Sequence, residues 1–252
     1  MKIIYSIFIM LAVVALLAFS APVNASEMDS RIESSARQTY VFQTYLKDDD
    51  IEIESRDGAV TLTGFVSEEY HKSLAQETVA GLPGVKSVDN RLEEVEGAPL
   101  TANSDAWIRD KVKTTLLFHR SVSADTTEVD VKDGIVTLRG DAYSQAQKDL
   151  TTEYARDVEG VKDVNNEMTV TKSSEKNRTV GEKIDDASIT AQVKMSLLFH
   201  RSTSALNTKV ETKNGVVTLY GKAGNAAALD LATKLANDVN GVKGVNNRMA
   251  IE

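Results

Sequence analysis

The chain has 252 residues, 42% of them apolar, a net charge of −8 and no cysteine. Disulfides and thiolate metal sites are therefore excluded, and the acidic balance argues against a partner held through neutralised phosphates, so no nucleic acid is expected. Length alone allows one or two domains; internal repeats raise that number.

The chain opens with Lys2 ahead of a long apolar run ending at Phe19, followed by the small-residue pattern Val23-Asn24-Ala25. This order predicts a signal peptide over 1–25, cleaved after Ala25, and a mature chain outside the cytoplasm. The run is somewhat longer than an ordinary signal, so an uncleaved anchor is the alternative. No cysteine follows for lipid attachment.

Three copies of one unit fill the remainder, over 28–96, 104–170 and 185–252. A shift of 76 lays Ile32 on Ile108, Gly58 on Gly134 and Gly84 on Gly160 without a gap, and a shift of 81 lays LLFHRSVSA (116–124) on LLFHRSTSA (197–205). Periods of this length read as small domains rather than turns of a solenoid, and units of this size can lean on their neighbours. The polar stretches near 97–103 and 171–183 read as linkers.

Each copy carries the same signals in order. Asp105 can cap a helix with apolar residues at Ile108, Val112 and Leu116, matched by Ile189, Val193 and Leu197. Alternating Val129 and Val131, the pair Asp133-Gly134, then Val136 and Leu138 predict a hairpin. Ser144 with Gln147 signals a second helix striped by Leu150, Tyr154, Ala155 and Val158, stopping at Gly160. A last strand follows over 161–170. The order predicts an α+β unit, α-β-β-α-β, with a three-stranded mixed sheet covered on one face by two helices. Thr61, Thr137 and Thr218 alternate with apolar residues, which leaves the other sheet face open.

The segment DGIVTLRG (133–140) has two glycines, but it lacks the Lys-Ser/Thr of a phosphate loop and alternates as a strand does, so it reads as turn and strand. Its second glycine fits a bend or a close approach. His119 and His200 follow the first helices beside arginines, and neither has the i, i+4 partner of a zinc helix; they fit a helix C-terminus better than a metal or catalytic site. No catalytic residue, metal or cofactor is assigned. The pairs Asn165-Asn166 and Asn246-Asn247 read as backbone-bonding residues at a bulge.

The helix opening D-A-W-I-x-x-K-V-K (Asp105 to Lys113), the x-G-x-V-T-L-x-G hairpin and the G-V-K-x-V-x-N exit (from Gly84, Gly160 and Gly241) together resemble the BON domain, in three copies covering nearly the whole mature chain. The resemblance implies a non-catalytic module of the bacterial envelope, acting in envelope maintenance or osmotic stress, with phospholipid binding or protection of exported proteins as the proposed roles. The copies hold seven basic against fifteen acidic residues, nine against thirteen, and eight against six. Attraction to anionic lipid therefore falls to the C-terminal end. From the residues alone Trp107 is a core-edge residue; the resemblance makes it a membrane-contacting one, since an indole suits an interface. The expected lipid-binding residues are Trp107, Lys111, Arg120, Lys194 and Arg201, with anionic phospholipid surfaces as partner and unfolded exported proteins as the alternative, bound through the open sheet faces. Nothing in the sequence fixes an oligomeric state.

Overall fold

A computed structural model describes residues 23–95, 103–122, 124–171, 184–203 and 208–252. The apolar run of the expected signal and nearly all of both linkers lie outside these residues. The first unit comprises α1 (Val23–Gln38), α2 (Tyr40–Thr44), β1 (Asp50–Arg56), β2 (Ala59–Val66), α3 (Glu69–Ala80) and β3 (Ser87–Glu94). The second has α4 (Asp105–Phe118), β4 (Thr127–Lys132), β5 (Ile135–Ala142), α5 (Gln145–Arg156), β6 (Asp163–Asn166) and β7 (Thr169–Val170). The third has α6 (Asp186–Phe199), β8 (Thr208–Lys213), β9 (Val216–Ala223), α7 (Ala226–Asp238), β10 (Gly244–Asn247) and β11 (Ala250–Ile251).

The mixed sheet is present in every unit: the hairpin strands pair antiparallel, and the strand after the second helix returns parallel to the middle one. In the second and third units this last strand is broken, and both pieces pair with the middle strand. The break lies at the second asparagine of each pair. Asn166 donates to Lys148 O (2.9 Å) and Thr152 Oγ1 (2.7 Å) on α5 and accepts from Met168 N–H (2.9 Å); Asn247 does the same with Leu229, Thr233 and Met249. The amide thus ties the last strand to the second helix, as Asn90 does in the first unit's unbroken strand.

The hairpin turns show why the three motifs travel together. Asp57, Asp133 and Asn214 have φ of 54°, 52° and 54°, and the glycines after them 82°, 81° and 80°, so both central residues are left-handed, as a two-residue hairpin requires. The turn's N–H groups point at the first helix. Asp29 accepts from Asp57 and Gly58, Asp105 from Asp133 and Gly134, and Asp186 from Asn214 and Gly215, all between 2.7 and 3.0 Å. From the other side Lys86, Lys162 and Lys243 donate to the carbonyls of Asp57, Asp133 and Asn214 at 2.8, 2.9 and 3.2 Å. Asp105 is therefore not the helix cap expected from the sequence. That role belongs to Ser104, which accepts from Trp107 N–H, while Asp105 holds the turn.

Two further expectations need adjustment. The second helix stops at Arg156, before Gly160, whose φ of 92° turns the chain into the last strand. Ser144 does cap α5 through Gln147 N–H (3.1 Å), but the Gln147 side chain takes the N–H of Tyr143.

The units do not stand apart as bodies tethered by linkers. Helix α6 is buried nearly all round, with Ala187, Ala191 and Met195 packed into the core of the first unit while Ile189, Val193 and Leu197 pack into its own. Phe118 of the second unit and Phe199 of the third also lie in the first unit's core. Units of this size have marginal cores of their own, and here the first and third share core residues along α6.

Candidate functional site

The five residues expected to bind lipid do not share one surface. Trp107 is half-buried on α4, and the Lys111 ammonium one turn later sits 3.5 Å from its ring centroid and 5.1 Å from that of Phe199. Lys111 is 12% exposed and reaches Glu159 at 3.5 Å. Burial, opposed by Glu159, pulls its pKa below the ordinary lysine value. This is a cation–π contact within the seam of the second and third units.

Arg120 and Arg201 are equivalent residues with equivalent partners across that seam. The Arg120 N–H donates to Asp238 O (3.0 Å) and its guanidinium to Asn237 O and Val242 O. The Arg201 N–H donates to Asp157 O (2.8 Å) and its guanidinium to Val161 O (3.3 Å). Short antiparallel bridges pair His119 with Val239 and Val158 with His200, which relates the two units by a pseudo-twofold axis. Lys194 faces the other way and pairs with Glu77 of the first unit at 2.6 Å. All four cations are thus engaged inside the molecule, at contacts that neither periodicity nor motif spacing encodes.

Beneath Arg120 lies a buried polar cluster. The His119 ring stacks on Tyr154 at 4.1 Å, its Nε2 is 3.1 Å from Ser196 Oγ, and its Nδ1 is 3.3 Å from Asp238 Oδ2 without the alignment of a hydrogen bond. Tyr154 donates its hydroxyl to Asp238 at 2.6 Å and Ser121 donates to the same carboxylate. Burial raises the Asp238 pKa, but the surrounding His119, Ser121 and Tyr154 outweigh it and hold it below the usual carboxylate value. Ser196, His119 and Asp238 have the connectivity of a nucleophile, base and acid. Ser196 and His119 are each only 1% exposed, however, so a substrate has no approach. The cluster joins two units. Among the described residues no group of three or more His, Cys, Asp or Glu could hold a metal.

The surface left open is the sheet face opposite the helices. In the first unit it shows Glu52, Glu54 and Asp89 with Arg56 and Arg91; in the second, Glu128, Asp130, Asp141 and Glu167 with Lys132 and Arg139. In the third, the positions of Glu128, Asp141 and Glu167 become Lys209, Lys222 and Arg248, beside Lys213. Lys209 pairs with Glu211 and Lys222 with Glu252, yet the two lysines stay 72% and 69% exposed. One face of one fold is acidic twice and basic once. These faces carry mainly charged side chains, with single exposed apolar residues, Phe65, Ile135 and Val216, among them.

The family profile of the BON domain matches residues 28–96, 104–172 and 185–252. The chain is 34% identical over 143 residues to "Osmotically-inducible protein Y" of Escherichia coli (strain K12), covering 57% of this chain and 70% of that protein. It is 35% identical over 150 residues to the "21 kDa hemolysin" of Actinobacillus pleuropneumoniae, covering 57% and 77%. It is 33% identical over 113 residues to "Outer membrane lipoprotein DolP" of Haemophilus influenzae, covering 45% and 56%. No helix of the described residues is long and apolar enough to cross a membrane.

Proposed function

The chain belongs to the BON domain family, and from that premise we propose that it works without catalysis in the bacterial envelope under osmotic stress, binding anionic phospholipid. Its likeness to an osmotically inducible protein and to an outer-membrane lipoprotein supports the setting. The observation that carries the lipid reading is the reversal of charge on the third unit's open face, where Lys209, Lys222 and Arg248 replace the second unit's Glu128, Asp141 and Glu167 beside Lys213, whose position is basic in every unit. Each basic residue near an anionic bilayer contributes about 1 kcal/mol, so four cations, partly offset by Glu211 and Glu252, give weak attachment that salt screens. Trp107, Lys111, Arg120, Lys194 and Arg201 serve instead to hold the units together in this reading.

Co-sedimentation with phosphatidylglycerol and phosphatidylcholine vesicles across a salt series tests it. Binding to the anionic vesicles only, lost as salt rises, is the expected result. Absence of binding at low salt overturns it.

A further inference from the structure

Strand β8 is the outer strand of the third unit's sheet, and its free edge forms one side of a groove of about 630 Å³. In its antiparallel pairing with β9, Lys213 faces Val216 across a two-residue turn, so the N–H and C=O groups of Val210 and Thr212 point outward. Neither residue's outward groups have a hydrogen-bond partner among the described residues. The Thr208 hydroxyl, in the adjoining 250 Å³ recess, is buried and also without a partner.

The first unit shows what closing such an edge takes. There Glu33 of α1 accepts the Ser55 N–H at 2.9 Å and Arg37 donates to Ile51 O at 3.4 Å, so helix side chains occupy the outward groups of β1. The equivalent residues in the third unit are Thr190 and Lys194. The Thr190 hydroxyl meets the Thr212 hydroxyl instead (2.7 Å), and Lys194 is drawn to Glu77. The edge is left open at the place where the first unit closes it.

The groove continues the interface between the first and third units, with Ala80 and Gly81 at the end of α3 forming its far wall. Its charges are nearly spent. Asp186 is held by the turn N–H groups and Glu211 by Lys209. Lys213, at the rim, has no carboxylate within ion-pair distance among the described residues.

We propose that the edge of β8 binds an extended polypeptide segment carrying acidic side chains, which adds as a strand to the third unit's sheet and places a carboxylate on Lys213. Backbone groups supply the affinity in such strand addition, and an exposed edge is a template for it. Outward groups recur every second residue, about 6.8 Å apart, so Thr208 to Thr212 accommodates a segment of about five residues. The site adjoins the lipid-binding face and shares Lys213 with it, but the peptide titration contains no lipid and the vesicle assay no peptide, so the failure of either reading is seen separately.

The test is fluorescence anisotropy of the full chain with a labelled octapeptide of alternating valine and threonine bearing two glutamates, beside the same peptide N-methylated at alternate residues. Saturable binding of the parent peptide, weakened at least tenfold by N-methylation, is expected. Thr190→Glu, which supplies the carboxylate that Glu33 provides in the first unit, and Thr212→Pro, which removes an outward N–H without touching the ladder, are each expected to weaken binding at least tenfold. Circular dichroism checks that both variants fold. No saturable binding of the parent peptide, or equal binding of the N-methylated one, overturns the proposal whether or not the variants fold; so does undiminished binding by both folded variants.

Discussion

Tyr154 of the second unit donates its hydroxyl to Asp238 of the third at 2.6 Å, and its ring carries the stacked His119. The bond spans two copies of one repeat yet has no mirror image, because the residue equivalent to Tyr154 in the third unit is Leu235. Asp238→Ala leaves the half-buried Tyr154 hydroxyl without its acceptor and removes the carboxylate beside His119, and is expected to destabilise the protein by about 1–3 kcal/mol. Tyr154→Phe removes the donor alone and has a smaller effect. Urea unfolding of both variants and the double variant checks this: the combined loss falls short of the sum if the two residues form one interaction.

The Asp105 clamp on the Asp133-Gly134 turn makes two charge-assisted bonds to backbone N–H groups. Asp105→Ala is expected to lower stability by about 1–2 kcal/mol. Asp105→Asn retains an acceptor for one N–H and falls between wild type and alanine in the same urea titration.

Gly140 and Gly224 separate two uses of glycine. Gly140 has φ of 120°, and a Cβ there runs into the Thr126 carbonyl, whereas a Cβ at Gly224 meets nothing within 4 Å. Gly140→Ala is expected to cost about 1–3 kcal/mol or more, and Gly224→Ala to lie within about 0.5 kcal/mol of wild type. Thermal melts of the pair read this contrast directly.

His200 is 7% exposed and 3.5 Å from Asp157. Burial lowers its pKa below the ordinary 6.5, against the opposing pull of Asp157. The folded state therefore takes up the proton less readily than the unfolded chain. Its contribution is whole above pH 6.5 and declines as the pH falls from 6.5 through the folded pKa. His71, also lowered chiefly by burial, acts in the same direction. Melting temperature is expected to drop from about pH 7 to about pH 5, and His200→Gln to flatten part of that slope.

The interior of each unit was readable because its signals are local. The Asp-Gly turns, the alternating strands and the Gly-Val-Lys exits each announce one element, and their fixed order gives the sheet. The asparagine pairs were also legible as backbone-bonding residues. The joining of the units was not, since residues such as His119 and Asp238 are far apart in the chain and neither carries a pattern. One signal did exist. Trp107, Arg109, Asp110 and Lys111 on the first helix of the second copy become Ser188, Thr190, Ala191 and Gln192 in the third. A helix that loses its charged face is one that is covered on it, and α6 is buried there. The surroundings of the expected lipid-binding residues were hidden for the same reason: a cation's exposure depends on what packs over it, which a periodic stripe does not reveal.

Small-angle X-ray scattering of a chain starting at residue 26 tests most directly whether the three units form one body around α6. A radius of gyration of about 17 Å, that of a single globule of this length, is expected. A value above roughly 23 Å, as separate units on extended linkers give, contradicts it.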